Sequence, residues 1–239
     1  MKEVSIVMPA YNEENNIEKT VVKCSNVLNS TKLSTEIIVV EDGSKDRTKE
    51  ILENLKKSIP NLIVVIHEKN MGYGRAVSDG IKAATGKYLM TLDSDGQFDI
   101  GQFPIFLEKI KGGAGIVTGY RIKKKDTFLK VLANTVLNNL VKYSFKINVK
   151  DINCSFRLYE KSLFDKISME ASHFILPTEI LLKANALSYK ISEVGVNHAY
   201  REGGKSSIKL LKNTLEILSF LFKLKKKIKQ YKKGEISIL

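Results

Sequence analysis

Short runs of aliphatic and β-branched residues recur along the first half of the chain. Each gives way to a polar turn and then to a stretch with apolar residues every three to four positions. Val4–Met8 is the first run, closed by Pro9, and Glu13 to about Leu28 follows it with Ile17, Val21 and Val27 broadly on one face. That alternation predicts a strand and then an amphipathic helix. Glu36–Val40 predicts a second strand, ended by Asp42-Gly43-Ser44, with Lys45–Lys57 as its helix; Leu62–Ile66, Arg75–Ala84 and Lys87–Leu92 repeat strand, helix and strand. Continuous apolar strands separated by helices of about 10–15 residues predict parallel βαβ units with both sheet faces covered. Ligands of such sheets sit beyond the carboxyl ends of the strands. Tyr11-Asn12-Glu13, Asp42-Gly43-Ser44 and Asp93-Ser94-Asp95 all follow strand ends, so the fold should gather them at one edge.

The second half is less regular. Ala114–Thr118, Ser155–Tyr159 and Val194–Tyr200 read as strands, Phe128–Tyr143 and Pro177–Leu187 as helices, and Ile208 to about Lys229 as one long helix. In that last segment Ile208, Leu211, Leu215, Leu218 and Phe222 recur at spacings of three and four, with lysines on another face. Leu129, Leu132, Val136 and Leu140 make a similar stripe in the 128–143 helix. The fold class predicted is α/β, a mostly parallel mixed sheet flanked by helices. Residues 1–207 are expected to form the catalytic domain, and residues 208–239 a basic amphipathic helix and tail.

Charge changes the picture because it is concentrated. The net charge is +13, yet residues 121–150 set eight Lys/Arg against Asp126 alone and residues 205–233 set ten Lys against Glu216 alone. These two windows carry more than the whole excess, so a nearly neutral body bears two basic patches suited to a polyanion, either phospholipid or nucleic acid. Basic polar faces on amphipathic helices favour an interfacial position on an anionic membrane. No apolar run approaches the ~18 residues of a membrane span, and the N-terminus lacks the pattern of a signal peptide. Cys24 and Cys154 have neither metal-ligand spacing nor a disulfide framework. A peripheral position on the cytoplasmic face of a membrane is expected.

The chemistry resides in carboxylates. Two Asp separated by one residue after a buried strand, Asp93 and Asp95, can turn toward a divalent cation bridging a diphosphate, and hard oxygen ligands suit Mg²⁺ or Mn²⁺. An isolated Asp-x-Asp is more often a turn or a cap; its place at a strand end favours a site. Gln97 can add an oxygen, and Gly96 permits the sharp turn. Gly72-Tyr73-Gly74 lacks the third Gly of a dinucleotide loop, and Arg201-Glu202-Gly203-Gly204-Lys205-Ser206-Ser207 lacks the full phosphate-loop spacing. The latter is expected to be a Gly-hinged anion-binding loop.

The strings SIVMPAYNEENNI, IIVVEDGSKDRT and NMGYGRAVSDGIKAATGKYLMTLDSDGQF resemble, in order and spacing, the family-two glycosyltransferases of GT-A fold. TGYR at 118–121, DINCSFRLY at 151–159 and HAYREGGKSS at 198–207 are similar to the polyprenyl-phosphate hexose synthases, the dolichol-phosphate mannose synthases among them. Departures are Glu41 where Asp is common, Ser155 where Gly is frequent, and Lys130 where Arg is frequent. The resemblance implies that Pro9, Tyr11, Glu13, Asp42, Asn70 and Gly72 contact the donor and that Asp93 supports the nucleotide sugar. It implies that Asp95 and Gln97 hold the metal, and that Arg121, Lys130, His198, Arg201 and Ser206 gather at the donor and acceptor phosphates. Asp151 and Glu179 would face the sugar or the basic cluster. His198 and Lys130 also have plainer readings, as a structural histidine and a solvated helix charge.

The implied reaction moves a hexose from a nucleotide sugar, GDP-mannose or UDP-glucose, to a polyprenyl or dolichyl phosphate by inverting displacement. A lipid monophosphate with a second pKa of about 6 is already deprotonated near neutral pH and needs no general base. The metal with Asp93, Asp95, Arg121 and Arg201 would then supply charge and position. Alternatives are transfer to a polysaccharide or other acceptor, and a non-catalytic nucleic-acid-binding protein. The latter leaves the carboxylate loops unexplained, because carboxylates repel phosphate chains, so no nucleic-acid partner is expected. A membrane-embedded partner subunit is an open alternative to direct lipid binding.

Overall fold

The computed structural model describes residues 2–122, 128–171, 173–201 and 210–239, excluding the side chains of 128–134 and 210–215. The strands are β1 (Val4–Ala10), β2 (Thr35–Glu41), β3 (Leu62–Ile66), β4 (Tyr88–Thr91), β5 (Ile116–Arg121), β6 (Arg157–Glu160) and β7 (Ile191–Val196). The helices are α1 (Ile17–Ser30), α2 (Thr48–Ser58), α3 (Tyr73–Ala83), α4 (Phe103–Lys111), α5 (Phe128–Phe145), α6 (Leu176–Ala186) and α7 (Leu210–Lys232). The seven strands form one sheet in the order β3-β2-β1-β4-β6-β5-β7. Every neighbouring pair is parallel except those that β6 makes with β4 and β5. The mostly parallel mixed sheet expected from the alternating pattern is what forms.

Both faces of the sheet are covered, which is why its central strands are apolar at successive positions. Ile6, Met8, Ile37 and Val39 pack into one core layer with Ile17, Val21, Leu52, Phe103 and Phe106. Val7, Ile38 and Val40 pack into the other with Ala76, Val77, Ile180, Leu181 and Leu221. Pro9 lies beyond the last β1–β4 pair, Val7 with Thr91, so its missing N–H interrupts no ladder bond on that side. Helix α4 is additional to the elements expected from the sequence; its Phe103, Phe106 and Ile110 are buried at helical spacing.

The long C-terminal helix carries a second apolar stripe that the spacing did not single out. Leu221, Leu224 and Ile228 of α7 are buried in the second core layer, with Ile217, Phe220 and Tyr231 packed beside them. This stripe lies roughly a third of a turn from the one chosen by spacing. Of that chosen stripe Leu218 and Phe222 are exposed, and Ile208 lies outside the described residues, as do the side chains of Leu211 and Leu215. The helix therefore has two apolar faces, one docked and one open. Its docking is reinforced by charge: Lys227 donates to Glu170 at 2.5 Å, and Glu170 also binds the buried Lys183 at 2.8 Å. On α5, Val136, Leu140 and Tyr143 are likewise exposed.

Candidate active site

Three strand ends meet at the carboxyl edge of the sheet. Ser94 is the anchor of the loop after β4: its Oγ donates to the Pro9 carbonyl at 2.7 Å, and its own carbonyl accepts from Thr20 Oγ1 at 3.2 Å. Ser94 is bound inward, and its neighbours Asp93 and Asp95 are both partly buried. Gly96 follows at φ +74°, a conformation that costs other residues free energy, and the Gln97 N–H donates back to Asp95 Oδ1 at 3.1 Å. The turn expected at Gly96 is present.

Around this loop the chain brings together residues far apart in sequence. Glu13 meets Arg201 Nη2 at 2.5 Å, and Arg201 Nη1 stands 3.8 Å from Asp95. Arg121 makes a bidentate pair with Asp151, at 2.8 Å through Nε and 3.1 Å through Nη2. Asn138 of α5 holds that second partner in place by donating to the Lys150 carbonyl at 3.1 Å and accepting from Ile152 N–H at 3.0 Å. The Gln97 side-chain amide donates to the Ala199 carbonyl at 2.9 Å, and the Ala199 N–H returns to the Gln97 carbonyl at 2.8 Å. His198, between these contacts, bridges to Phe98 and sets its ring edge against it, centroids 5.1 Å apart.

The electrostatic consequence is that burial holds the carboxyls of Asp95, Asp93 and Glu13 above their ordinary range. Burial pushes the Asp95 carboxyl up to about 7, and the neighbouring Asp93 adds to the effect. Burial likewise raises Asp93, against hydrogen bonds from Ser155 and Tyr73 and the charges of Arg121 and Arg201. Glu13 is raised by burial, against the pull of Asn16 and Arg201. Like-charged carboxylates held this close favour a proton or a bound cation.

Asp42 anchors the adjoining strand end. Its Oδ1 accepts from Met71 N–H at 2.8 Å and lies 2.7 Å from His67 Nδ1, and its Oδ2 accepts from Gly72 N–H at 2.9 Å. The side chain is almost fully buried, so Asp42 braces the start of α3, and the nucleotide contact implied by the resemblance would have to use the remaining lone pair of Oδ2. His67 Nε2 extends the chain to Asp79 at 3.3 Å. Gly43, at φ +68°, packs so tightly that a Cβ would come within 2.4 Å of the Lys69 carbonyl carbon and 2.6 Å of Asn70 N. The Asn70–Gly72 segment is thereby pressed onto the end of β2.

Glu179 needs correction. It is completely buried, paired with Lys183 at 2.7 Å and accepting from the Glu170 and Ala171 amides at 3.1 and 2.8 Å. Its carboxylate ties the 168–171 segment to α6 and belongs to that buried network rather than to the phosphate site. Lys130 lies on the backbone of α5 with its side chain outside the described residues, and Ser206 lies outside them altogether. Sequence reasoning missed Tyr73 and Ser155, which both donate to Asp93, as well as His67 and Asn138. Ser155 carried a signal as a departure from the family pattern, and Tyr73 lies inside the matched string. His67 and Asn138 carried none.

Residues 5–168 match glycosyl transferase family 2. The chain belongs to that family. It is 32% identical over 220 residues to a dolichyl-phosphate beta-glucosyltransferase of Trichomonas vaginalis, a match covering 86% of this chain and 68% of the relative. It is 31% identical over 217 residues to an undecaprenyl-phosphate 4-deoxy-4-formamido-L-arabinose transferase of Pectobacterium carotovorum, covering 89% of this chain and 64% of that protein. The chain thus spans about two thirds of the length of these relatives. Among solved structures, glucosyl-3-phosphoglycerate synthase from Mycobacterium tuberculosis, crystallised with Mn²⁺, uridine diphosphate and phosphoglyceric acid, superposes with a TM-score of 0.74 at 18% identity. That superposition covers 94% of this chain and 78% of the synthase, and it establishes the GT-A fold.

Proposed function

We propose that this glycosyltransferase moves a hexose from a nucleotide diphosphate sugar to a polyprenyl phosphate at a membrane surface. The observation that carries the reading is the convergence of Asp93, Asp95, Glu13, Arg121 and Arg201 at the carboxyl edge of a GT-A sheet. The similarity to enzymes named for dolichyl phosphate and undecaprenyl phosphate supports the acceptor class. Glucose is the sugar favoured by the named glucosyltransferases.

The residues fit a divalent cation. Asp93 and Asp95, two carboxylates of one loop whose burial raises both, suit Mg²⁺ or Mn²⁺ held by one or two carboxylates and completed by substrate phosphates. Asp95 would hold the ion, with the carbonyl oxygen of Gln97, whose amide nitrogen is engaged by Ala199, as a further ligand. Bound there, the ion would neutralise the diphosphate leaving group. Asp93 orients the donor. Arg121, fixed as a fork by Asp151, and Arg201, which reaches the same cluster from the segment after β7, offer fixed positive charge where two anions must approach each other. No side chain has to remove a proton from an acceptor phosphate that is already ionised near neutral pH.

The open apolar faces of α5 and α7 support attachment to the bilayer. Tyr143 and Phe222 are exposed, and Lys142, Tyr143, Ser144 and Lys146 of the α5 end line one surface depression with Lys225 of α7. Aromatic rings among lysines suit the headgroup level of an anionic membrane. Among the described residues no helix is long and apolar enough to cross a membrane. The reading is tested by incubating the full chain with UDP-glucose or GDP-mannose, Mn²⁺ and a short polyprenyl phosphate. A lipid-phosphate-linked hexose is expected, and it should be lost in Asp95→Ala or with chelator. Sugar transfer to a soluble polysaccharide but to no lipid phosphate would refute the acceptor assignment.

A further inference from the structure

The donor-facing carboxylate Asp93 is held by two hydroxyls from outside its own loop. Tyr73 Oη donates to Oδ1 at 3.0 Å and Ser155 Oγ donates to Oδ2 at 2.5 Å. Each is itself fixed. The Tyr73 ring stacks on Phe174 with centroids 5.0 Å apart, and the Ser155 carbonyl accepts from Thr91 Oγ1 at 2.5 Å. Asp95, by contrast, has the amide of its near neighbour Gln97 and an arginine at 3.8 Å.

The topology explains how Ser155 arrives there. In a parallel sheet the residues that lead into a strand lie at the edge opposite the ligand site, and only residues that trail it reach the carboxyl edge. β6 runs against β4, with Arg157 opposite Thr91. Continuing that register by two residues sets Ser155 opposite Asp93. The antiparallel strand therefore delivers its leading segment to the active edge, and the serine there supplies a hydroxyl donor to Asp93.

We propose that Ser155 is a positioning residue for sugar transfer: it holds Asp93 Oδ2 while Tyr73 holds Oδ1, so that one orientation of the carboxylate meets the nucleotide sugar. This inference rests on the glycosyltransferase reading above. Two donors on two different oxygens remove rotation about the carboxylate's last bond. One donor leaves the second oxygen to choose between orientations, and the donor sugar must then pay to select the productive one.

The test compares Ser155→Ala, Ser155→Thr and Tyr73→Phe in the full chain, each also in an Asp93→Asn background, with Mn²⁺ and UDP-glucose or GDP-mannose. Ser155→Ala should lower kcat/KM by about tenfold or more, the scale of a hydrogen bond to a charged group. Ser155→Thr, which keeps the hydroxyl, should recover to within about threefold of wild type. In the Asp93→Asn background Ser155→Ala should cost clearly less, because the ionised acceptor that strengthens its hydrogen bond is gone. Melting temperatures of the variants separate these effects from misfolding. Equal losses for Ala and Thr, no loss for Ala, or a full additional loss in the Asp93→Asn background would each overturn the positioning role. A wild-type chain that binds and turns over neither donor would instead overturn the reading on which the role rests.

Discussion

Asp95 is predicted to be a stability cost that the chain carries for its function. Its carboxyl titrates near 3.8 when free and is pushed up to about 7 in the folded protein, by burial first and then by Asp93. Between those values the native state keeps a proton that the unfolded chain has released, so stability is lost as pH rises from about 4 to about 7. A separation of about three pH units at ~1.36 kcal/mol each bounds the cost at about 4 kcal/mol, and sharing it with Asp93, its principal charge partner, leaves about 2 kcal/mol for Asp95 alone. Asn mimics the protonated acid and keeps a carbonyl for the Gln97 amide. Asp95→Asn should therefore melt about 4–8 °C above wild type at pH 8 in chelator, the conversion appropriate to a chain of this size. The gap should close by pH 4, where the free acid is also protonated. A scan of melting temperature across that range measures it. Mn²⁺ with UDP should then raise the wild type and leave the variant where it is. Parallel melting curves for the two proteins at every pH would refute the reasoning.

Three further outcomes follow from the same geometry. Phe222→Ser with Tyr143→Ser should weaken binding to anionic liposomes about tenfold or more, since burying each aromatic ring is worth about 1.5–3 kcal/mol when complete; a flotation assay unchanged by both substitutions would contradict the membrane face. Charge reversal at Lys225 and Lys226 should make that binding weaker and less salt-sensitive without lowering the melting temperature, whereas reversal at Lys227, which binds Glu170 at 2.5 Å, should destabilise the fold. Lys183→Met leaves Glu179 buried without its cation and should cost about 3–5 kcal/mol in urea unfolding; an unchanged midpoint would show that the buried pair is not what secures α6.

The repeating strand and helix pattern determined by itself the parallel half of this fold, because buried strands must be apolar throughout and their helices must show one apolar face whatever the rest of the molecule does. It also determined the edge at which Glu13, Asp93 and Asp95 meet, since chain direction fixes which loops follow strand ends. Local spacing was enough to place the helix of α7 but not to choose between its two apolar stripes: Leu221, Leu224 and Ile228 are buried and Phe222 exposed only because α6 lies on one side. In the same way only the tertiary structure decided that Lys227 secures the fold, that Glu179 receives the Glu170 and Ala171 amides, and that Ser155 faces Asp93. The last of these depends on an antiparallel strand inserted between β4 and β5, and the partners are separated by as many as 62 residues. Hydrophobic periodicity is silent about such pairings, because it records which face of an element is buried and not what the element meets.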